Sequence, residues 1–254
     1  MKRILLTNDD GIFARGINAV AAALAPEYDV YMVAPDSQRS GASQSLTLGK
    51  PVYLREVQLE GLPNVHAFSL SGTPTDCVKF ALGNLDIKPD LVVSGMNLGA
   101  NIGTDVMYSG TIGAALEAAM DGFPSLALSL TRHDAKYVSD AAKSAKYAVD
   151  FYINNTSVCK LLSVNIPDMP YENIKGIRLA HLSELAHTPK FEKQPDGGYI
   201  IPFWELNPDE SADTDSHLVS AGFVTWTPIL HNLCCCEAFD SVKNAFEKWR
   251  EIKI

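Results

Sequence analysis

The run Ile4-Leu5-Leu6-Thr7 ends directly in Asn8-Asp9-Asp10-Gly11. A short, unbroken apolar run reads as a strand buried on both faces, the kind found inside parallel sheets. Two adjacent carboxylates at its carboxyl end repel and raise each other's proton affinity unless a cation lies between them. A divalent metal with oxygen ligands is the simplest compensation. The opening residues therefore point to a metal site at the mouth of an α/β sheet.

The chain keeps this rhythm. Residues 15–24 carry apolar positions near a 3.6-residue period and read as a helix. Asp29-Val30-Tyr31-Met32-Val33-Ala34 is a second strand, closed by Pro35. Thr73-Pro74-Thr75-Asp76 opens a helix, with Thr as cap, Pro in the first turn and an acid on the positive end of the dipole. Asp90 to Gly95 is another buried strand. A helix at about 111–121, a strand at 124–130, a helix over 134–153 and a strand at 161–166 follow. This alternation predicts an α/β fold: a mostly parallel sheet with helices on both faces. Ligands of such sheets bind outside the carboxyl ends of the strands.

The tail is different. From about 170 to 232 it carries Pro, Gly and Asn breaks, with strand candidates at 174–181, 198–204 and 222–230. It reads as a hairpin-bearing extension whose Phe203-Trp204, Phe223 and Trp226 either meet another copy of the chain or pack on their own domain. Residues 237–251 read as a closing amphipathic helix. The expected division is a catalytic core at 1–170, an arm at 171–232 and a C-terminal helical segment packing on the core at 233–254.

Composition narrows the function classes. The net charge is −9, which argues against a nucleic-acid polymer as partner, since such binders present a basic face. No stretch approaches membrane-spanning length. Met1-Lys2-Arg3 and the short run after it do not read as a secretory signal, and five cysteines, an odd number, suit reduced thiols in the cytoplasm. The triplet Cys234-Cys235-Cys236 lacks the spacing that turns two sulfurs toward one zinc, so it reads as small hydrophobes near a strand end.

Three segments fall at strand ends and can converge: Asn8-Asp9-Asp10-Gly11; Asp36 with Arg39-Ser40-Gly41-Ala42-Ser43; and Ser94 to Asn101 with Tyr108-Ser109-Gly110-Thr111. Their carboxylates, hydroxyls and amide oxygens are hard donors of the kind Mg²⁺, Mn²⁺ or Ca²⁺ prefers. Ser109-Gly110-Thr111 before a helix offers hydroxyls and free N–H groups, an anion seat suited to phosphate. Each piece alone has a plainer reading as a turn or a cap; their shared sheet edge argues for a site. Rival chemistries lack their motifs. Acids stand where a dinucleotide fold places its glycines, and neither a Gly-x-Ser-x-Gly elbow nor a Walker loop occurs. An aspartyl-phosphate enzyme would need two acids spaced two apart, but Asn8 precedes Asp10 and Gly11 follows Asp9 at that spacing. A metal-activated water is the better nucleophile.

The stretch Ile4 to Ile12 resembles the start of the SurE family, the stationary-phase survival proteins with nucleotidase activity. The resemblance continues through Val33-Ala34-Pro35-Asp36, Arg39 to Ser43, Ser45-Leu46-Thr47-Leu48, Gly72 to Val78, Val93 to Gly99 and Tyr108 to Thr111. It resumes at Val164-Asn165-Ile166-Pro167, Asp213-Thr214-Asp215, Gly222-Phe223-Val224 and Thr227-Pro228. It implies a Rossmann-like core with a C-terminal hairpin arm exchanged between subunits of a homodimer or homotetramer. It also implies a metal-dependent phosphomonoesterase acting on nucleoside 5′- and 3′-monophosphates, with short polyphosphate as a further substrate. The implied metal ligands are Asp9, Asp10, Ser40 and Asn97. Gln44 and Arg15 depart from the His and Pro that many members carry; neither is an implied ligand.

The expected mechanism puts one divalent ion, Mg²⁺ or Mn²⁺, on those four residues, with Ca²⁺ as an alternative occupant. Asp9 or Asp10 takes the proton of the attacking water, and Asn8, Gly41, Asn97, Ser109, Gly110 and Thr111 hold the phosphate. His217 and His231 are outer candidates. The competing class is a nucleotide sensor that uses the same seat without turnover; a third, an interaction scaffold built on the tail, would bind no metal.

Overall fold

The computed structural model describes residues 1–184, 190–201, 211–230, 238 and 240–245. In chain order the elements are β1 (Arg3–Thr7), α1 (Arg15–Leu24), β2 (Asp29–Pro35), β3 (Leu54–Val57), β4 (His66–Leu70), α2 (Pro74–Gly83), β5 (Leu91–Leu98), α3 (Gly110–Met120), β6 (Ser125–Leu130), α4 (Val138–Tyr152), β7 (Leu161–Ile166), β8 (Ile177–Leu179), β9 (Glu192–Lys193), β10 (Tyr199–Ile200), α5 (Asp215–Ser220) and β11 (Val224–Ile229). A 3₁₀ turn, Gly103–Met107, leads into α3.

Nine strands form one sheet in the order β3-β4-β2-β1-β5-β6-β7-β11-β8. The run from β4 to β7 is parallel; β3 is antiparallel to β4, and β11 to β7. Alternation along the central strands separates two cores, because successive side chains point to opposite faces. Ile4, Leu6, Leu91 and Val93 pack with α1 and α4, while Leu5 and Val92 pack with α2 and α3. That gives the expected α/β sheet with helices on both faces. The chain runs outward from β1 through β2 and β4, then returns to β5 on β1's other side, so β1 and β5 flank the crevice where such sheets bind ligands.

Local chemistry fixes the elements that frame this crevice. Thr73 caps α2 in a full capping box with Asp76, and Pro74 starts the helix. Asp76 also accepts from Thr47 N–H and hydroxyl, which ties the loop after β2 to α2. Burial pushes the Asp76 carboxyl up, yet these hydrogen bonds outweigh it and hold it below the ordinary value. Gly16 lets α1 lie directly on β5: a Cβ there would stand 2.0 Å from the Met96 carbonyl oxygen. This contact draws the loop bearing Asp9 and Asp10 against the end of β5.

The strands β3 and β4 extend the sheet beyond β2. The segment from 171 to 232 is not wholly an arm: β8 and β11 close the far edge of the main sheet, and only β9 and β10 stand apart as a two-stranded hairpin. Trp226 belongs to the chain's own core, 7% exposed with its ring 4.8 Å from that of Phe151, while Phe223 lies under the Arg178 guanidinium. Phe203, Trp204, His231, the cysteine triplet and most of 233–254 lie outside the described residues. No helix among the described residues is long and apolar enough to cross a membrane.

Candidate active site

Asp9 leaves β1 at its carboxyl end and is 4% exposed. Its Oδ1 accepts the Thr111 hydroxyl at 2.6 Å, a bond spanning 102 residues of sequence. Gly110, the first residue of α3, lies over the same carboxylate, where a Cβ would stand 3.0 Å from Asp9 Oδ2. The helix start and the acid are therefore in direct contact. Burial, opposed by the Thr111 hydroxyl and reinforced by the charge of Asp10, pushes Asp9 up to about 6. Asp10 is half-buried; its Oδ2 accepts from Leu98 N–H at 3.2 Å and its Oδ1 from the Gln38 amide at 3.4 Å. Burial raises Asp10 as well, against the Leu98 N–H, a nearby His133 and Gln38.

Ser40 joins this group from the loop after β2. The Gln38 amide that reaches Asp10 also donates to Ser40 Oγ at 2.9 Å, and Arg39 N–H donates to the Asp9 carbonyl at 2.7 Å. Asn97 arrives from β5, whose register against β6 shifts between Ser94 and Asn97; such an irregularity re-aims a side chain. Its Nδ2 donates to the Gly99 carbonyl at 2.8 Å, which leaves the amide oxygen as its ligand atom.

The donor set meets the requirements of a hard divalent cation. It consists of two carboxylates, a hydroxyl and an amide oxygen. No ion pair joins a Lys or Arg to Asp9 or Asp10 among the described residues, and the charge of His133 acts on Asp10. No group of three or more His, Cys, Asp or Glu placed to hold a metal occurs among the described residues, so a cation here would rest on hydroxyl and amide oxygens as well as on the two acids.

The expected phosphate contacts divide. Ser109 caps α3 by accepting from Ile112 N–H at 3.1 Å, and its own hydroxyl proton remains to be given. Gly110 and Thr111 follow on the first turn, with the positive end of the helix dipole. Gly41 is exposed at φ +70° with open space around it, so its backbone is accessible. Two side chains are committed elsewhere. The Thr111 hydroxyl goes to Asp9. The Asn8 amide is fully buried and exchanges two bonds with Gly11, donating to its carbonyl and accepting its N–H, so it pins the acidic loop. Asn101 is a scaffold residue as well: it bonds Asn165 of β7 and Ser129 of β6.

His133 is the residue the sequence reading missed. Its ring lies against Gly99, where a Cβ would stand 2.4 Å from the imidazole, and its charge acts on Asp10. The usable signal was its place just after the strand ending at residue 130, on the same sheet edge. His217 instead sits on α5, beside β11, four places along the sheet from β1. Gln44 donates to Glu117 at 2.7 Å and Arg15 to the Ala135 carbonyl at 3.2 Å.

Comparison with known proteins follows the same lines. A family model described as "Survival protein SurE" matches residues 4–188. The chain is 39% identical to the 5′-nucleotidase SurE of Vibrio cholerae over 99% of both chains. It is 41% identical to that of Synechococcus elongatus over 91% of this chain and 94% of the relative. The crystal structure of the SurE protein from Aquifex aeolicus superposes with a TM-score of 0.80, at 34% identity, covering 96% of this chain and 99% of that one. These matches span the sheet, both helical layers and all three segments of the site, and the chain belongs to the SurE family.

Proposed function

We propose that the protein is a metal-dependent phosphomonoesterase that hydrolyses nucleoside 5′- and 3′-monophosphates to nucleoside and phosphate, with short polyphosphate as a further substrate. The observation that carries the reading is the contact between a buried acid and a helix start: Asp9 beneath Gly110 and bonded to Thr111. One cation seat and one anion seat share a wall, as hydrolysis of a phosphate ester requires. Similarity to proteins named 5′-nucleotidase supports the choice of substrate.

Asp9, Asp10, Ser40 and Asn97 would hold one Mg²⁺ or Mn²⁺, or Ca²⁺ as an alternative occupant. When bound, the cation supplies charge neutralisation at phosphorus and activates water. The rest falls to the chain. Gly110 N–H at the start of α3, the helix dipole and the Ser109 hydroxyl orient the phosphate oxygens, since Thr111 N–H goes to Asp9 and Ile112 N–H to the Ser109 cap. Both Asp10 oxygens already accept hydrogen bonds, and so does Asp9 Oδ1. The Asp9 carboxylate, pushed up by burial and also bonded by Thr111 N–H, takes the proton of the attacking water. Water oxygen joins phosphorus, the ester P–O bond breaks, and the proton that Asp9 took from the water passes to the departing nucleoside oxygen, which leaves Asp9 ionised as before.

Assembly follows from the hairpin. An isolated two-stranded sheet is marginal in water. β9–β10 and its flanks leave Phe191, Tyr199 and Ile201 exposed. A second copy of the chain covering them gives a homodimer or homotetramer in the cytoplasm, which sedimentation would resolve from a monomer.

The test of the activity is phosphate release from a panel of 5′- and 3′-nucleotides with Mg²⁺, with Mn²⁺ and with chelator. Metal-dependent release is expected. Folded protein that binds nucleotide with metal yet releases no phosphate would replace this reading with a nucleotide sensor.

A further inference from the structure

We infer that Tyr108 is the platform on which the base of the substrate stacks; the inference rests on the nucleotide reading above. Tyr108 ends the 3₁₀ turn Gly103–Met107 and immediately precedes Ser109, the cap of the phosphate-binding helix. Its backbone is held on both sides. Its N–H donates to the Asp105 carbonyl at 3.0 Å, and its carbonyl accepts Ser43 N–H at 3.0 Å. The preceding Met107 carbonyl accepts the Ser43 hydroxyl at 2.7 Å. Ser43 thereby clamps this peptide from the loop that carries Ser40 and Gly41.

The two side chains are left exposed. Tyr108 is 66% exposed and Met107 57% exposed. A lone exposed aromatic is ordinary on a protein surface. This one is distinguished by a fixed backbone and by its position one residue from the anion seat. Tyrosine offers a broad, rigid contact face with little side-chain entropy to lose. A nucleotide whose phosphate rests on the first turn of α3 carries its base one sugar away, and Tyr108 is the aromatic residue next to that turn. Stacking on an aromatic ring tolerates any base because each has a π-face. A platform of this kind accepts all nucleotides and favours purines for their larger area.

The experiment compares wild type, Tyr108→Ala, Tyr108→Phe and Phe13→Ala with Mg²⁺. Steady-state KM is measured for adenosine 5′-monophosphate, cytidine 5′-monophosphate and ribose 5-phosphate, which has no base. Binding of adenosine 5′-monophosphate is measured by calorimetry, independently of turnover. In Tyr108→Ala the ratio of the nucleotide KM to the ribose 5-phosphate KM is expected to rise about 5- to 150-fold, the range of base–aromatic stacking. The adenosine nucleotide is expected to lose more than the cytidine one, and Tyr108→Phe to restore the ratio. An unchanged ratio with unchanged calorimetric affinity overturns the inference, as does an equal loss for ribose 5-phosphate, which would make the residue structural. Phe13, 65% exposed beside the acidic loop, is the rival ring; a ratio that moves in Phe13→Ala and not in Tyr108→Ala also overturns it. Wild type that hydrolyses none of the three phosphates sinks the phosphomonoesterase reading, and calorimetry on the same variants still decides the role of Tyr108.

Discussion

Asp9→Asn separates the electrostatic cost of the site from its chemistry. The Asp9 carboxyl is 4% exposed and its pKa stands at about 6 against an ordinary aspartate value of 3.8. At about 1.4 kcal/mol for each tenfold change in proton affinity, the ionised form costs the folded state about 3 kcal/mol. The sign follows from linkage. A carboxyl whose folded pKa is raised gives stability that is full below 3.8 and is lost as pH rises through about 6. With chelator present, wild type should therefore fall in stability relative to Asp9→Asn between about pH 4 and pH 7. The asparagine keeps an oxygen to accept the Thr111 hydroxyl and carries no charge. At pH 8 it should be more stable than wild type by about 3 kcal/mol, or about 6 °C in Tm for a chain of this length. At pH 4 the two should coincide.

Metal should reverse the order. A ligand at a hundredfold excess over its Kd adds about 2.7 kcal/mol to the native state. Wild type at pH 8 should gain that increment with Mn²⁺, while Asp9→Asn should gain little and lose most phosphate release. Thermal unfolding at four pH values, with chelator and with Mn²⁺, measures all of this. An Asp9→Asn protein no more stable than wild type at pH 8 in chelator would refute the reasoning, because the buried charge would then carry no cost. Retained turnover in that variant would remove Asp9 from the mechanism.

Gly110→Ala should drive a Cβ to within about 3 Å of the Asp9 side chain, weakening Mn²⁺ affinity at least about tenfold while α3 stays folded; calorimetry and circular dichroism check the two halves. Asp215 is fully buried and accepts N–H bonds from Gly103, Ser183 and Ser216, so Asp215→Ala should cost about 3 kcal/mol in chemical denaturation, since three amides lose a charged acceptor. Thr73→Ala breaks the capping box of α2 and should cost about 1 kcal/mol, with the nucleotide KM unmoved.

The parts of the fold that could be read from sequence are those whose signal is local. The β1 run, the 3.6-residue spacing over Arg15–Leu24 and the Thr73-Pro74 helix start each depend on neighbours within a few residues, and each forms where expected. β3 and β4 depend instead on distant partners. Leu54–Val57 is half-exposed with no continuous apolar run, and it pairs only because β4 already lies on β2. The strands expected at 174–181 and 222–230 do form, as β8 and β11, but their place in the sheet depends on distant partners: β11 pairs with β7, and β8 with β11. The site divides in the same way. Adjacent acids announce their own electrostatic problem. The bond from Asn8 to Gly11 is the local side-chain turn chemistry of an Asn, legible in principle. The bond from Thr111 to Asp9 joins residues 102 apart, and no spacing rule reveals it.

Under the proposed function, that long-range bond would keep the phosphate seat and the cation seat from being tuned separately. The start of α3 would then serve two negative partners at once, the Asp9 carboxylate and a phosphate. Thr111 is committed to Asp9 and Ser109 to the cap, so a phosphate would rely on Gly110 N–H, the Ser109 proton and the dipole. A phosphate arriving beside an ionised Asp9 brings further like charge to a buried position, and Coulomb repulsion there is several times stronger than in water. A cation between them turns both repulsions into attractions. Metal and phosphate should therefore bind with positive coupling, and by linkage each should tighten the other by the same factor. Titrating Mn²⁺ with and without inorganic phosphate measures this directly. Identical Mn²⁺ affinities in the two titrations would mean that the seats do not share Asp9 as a wall.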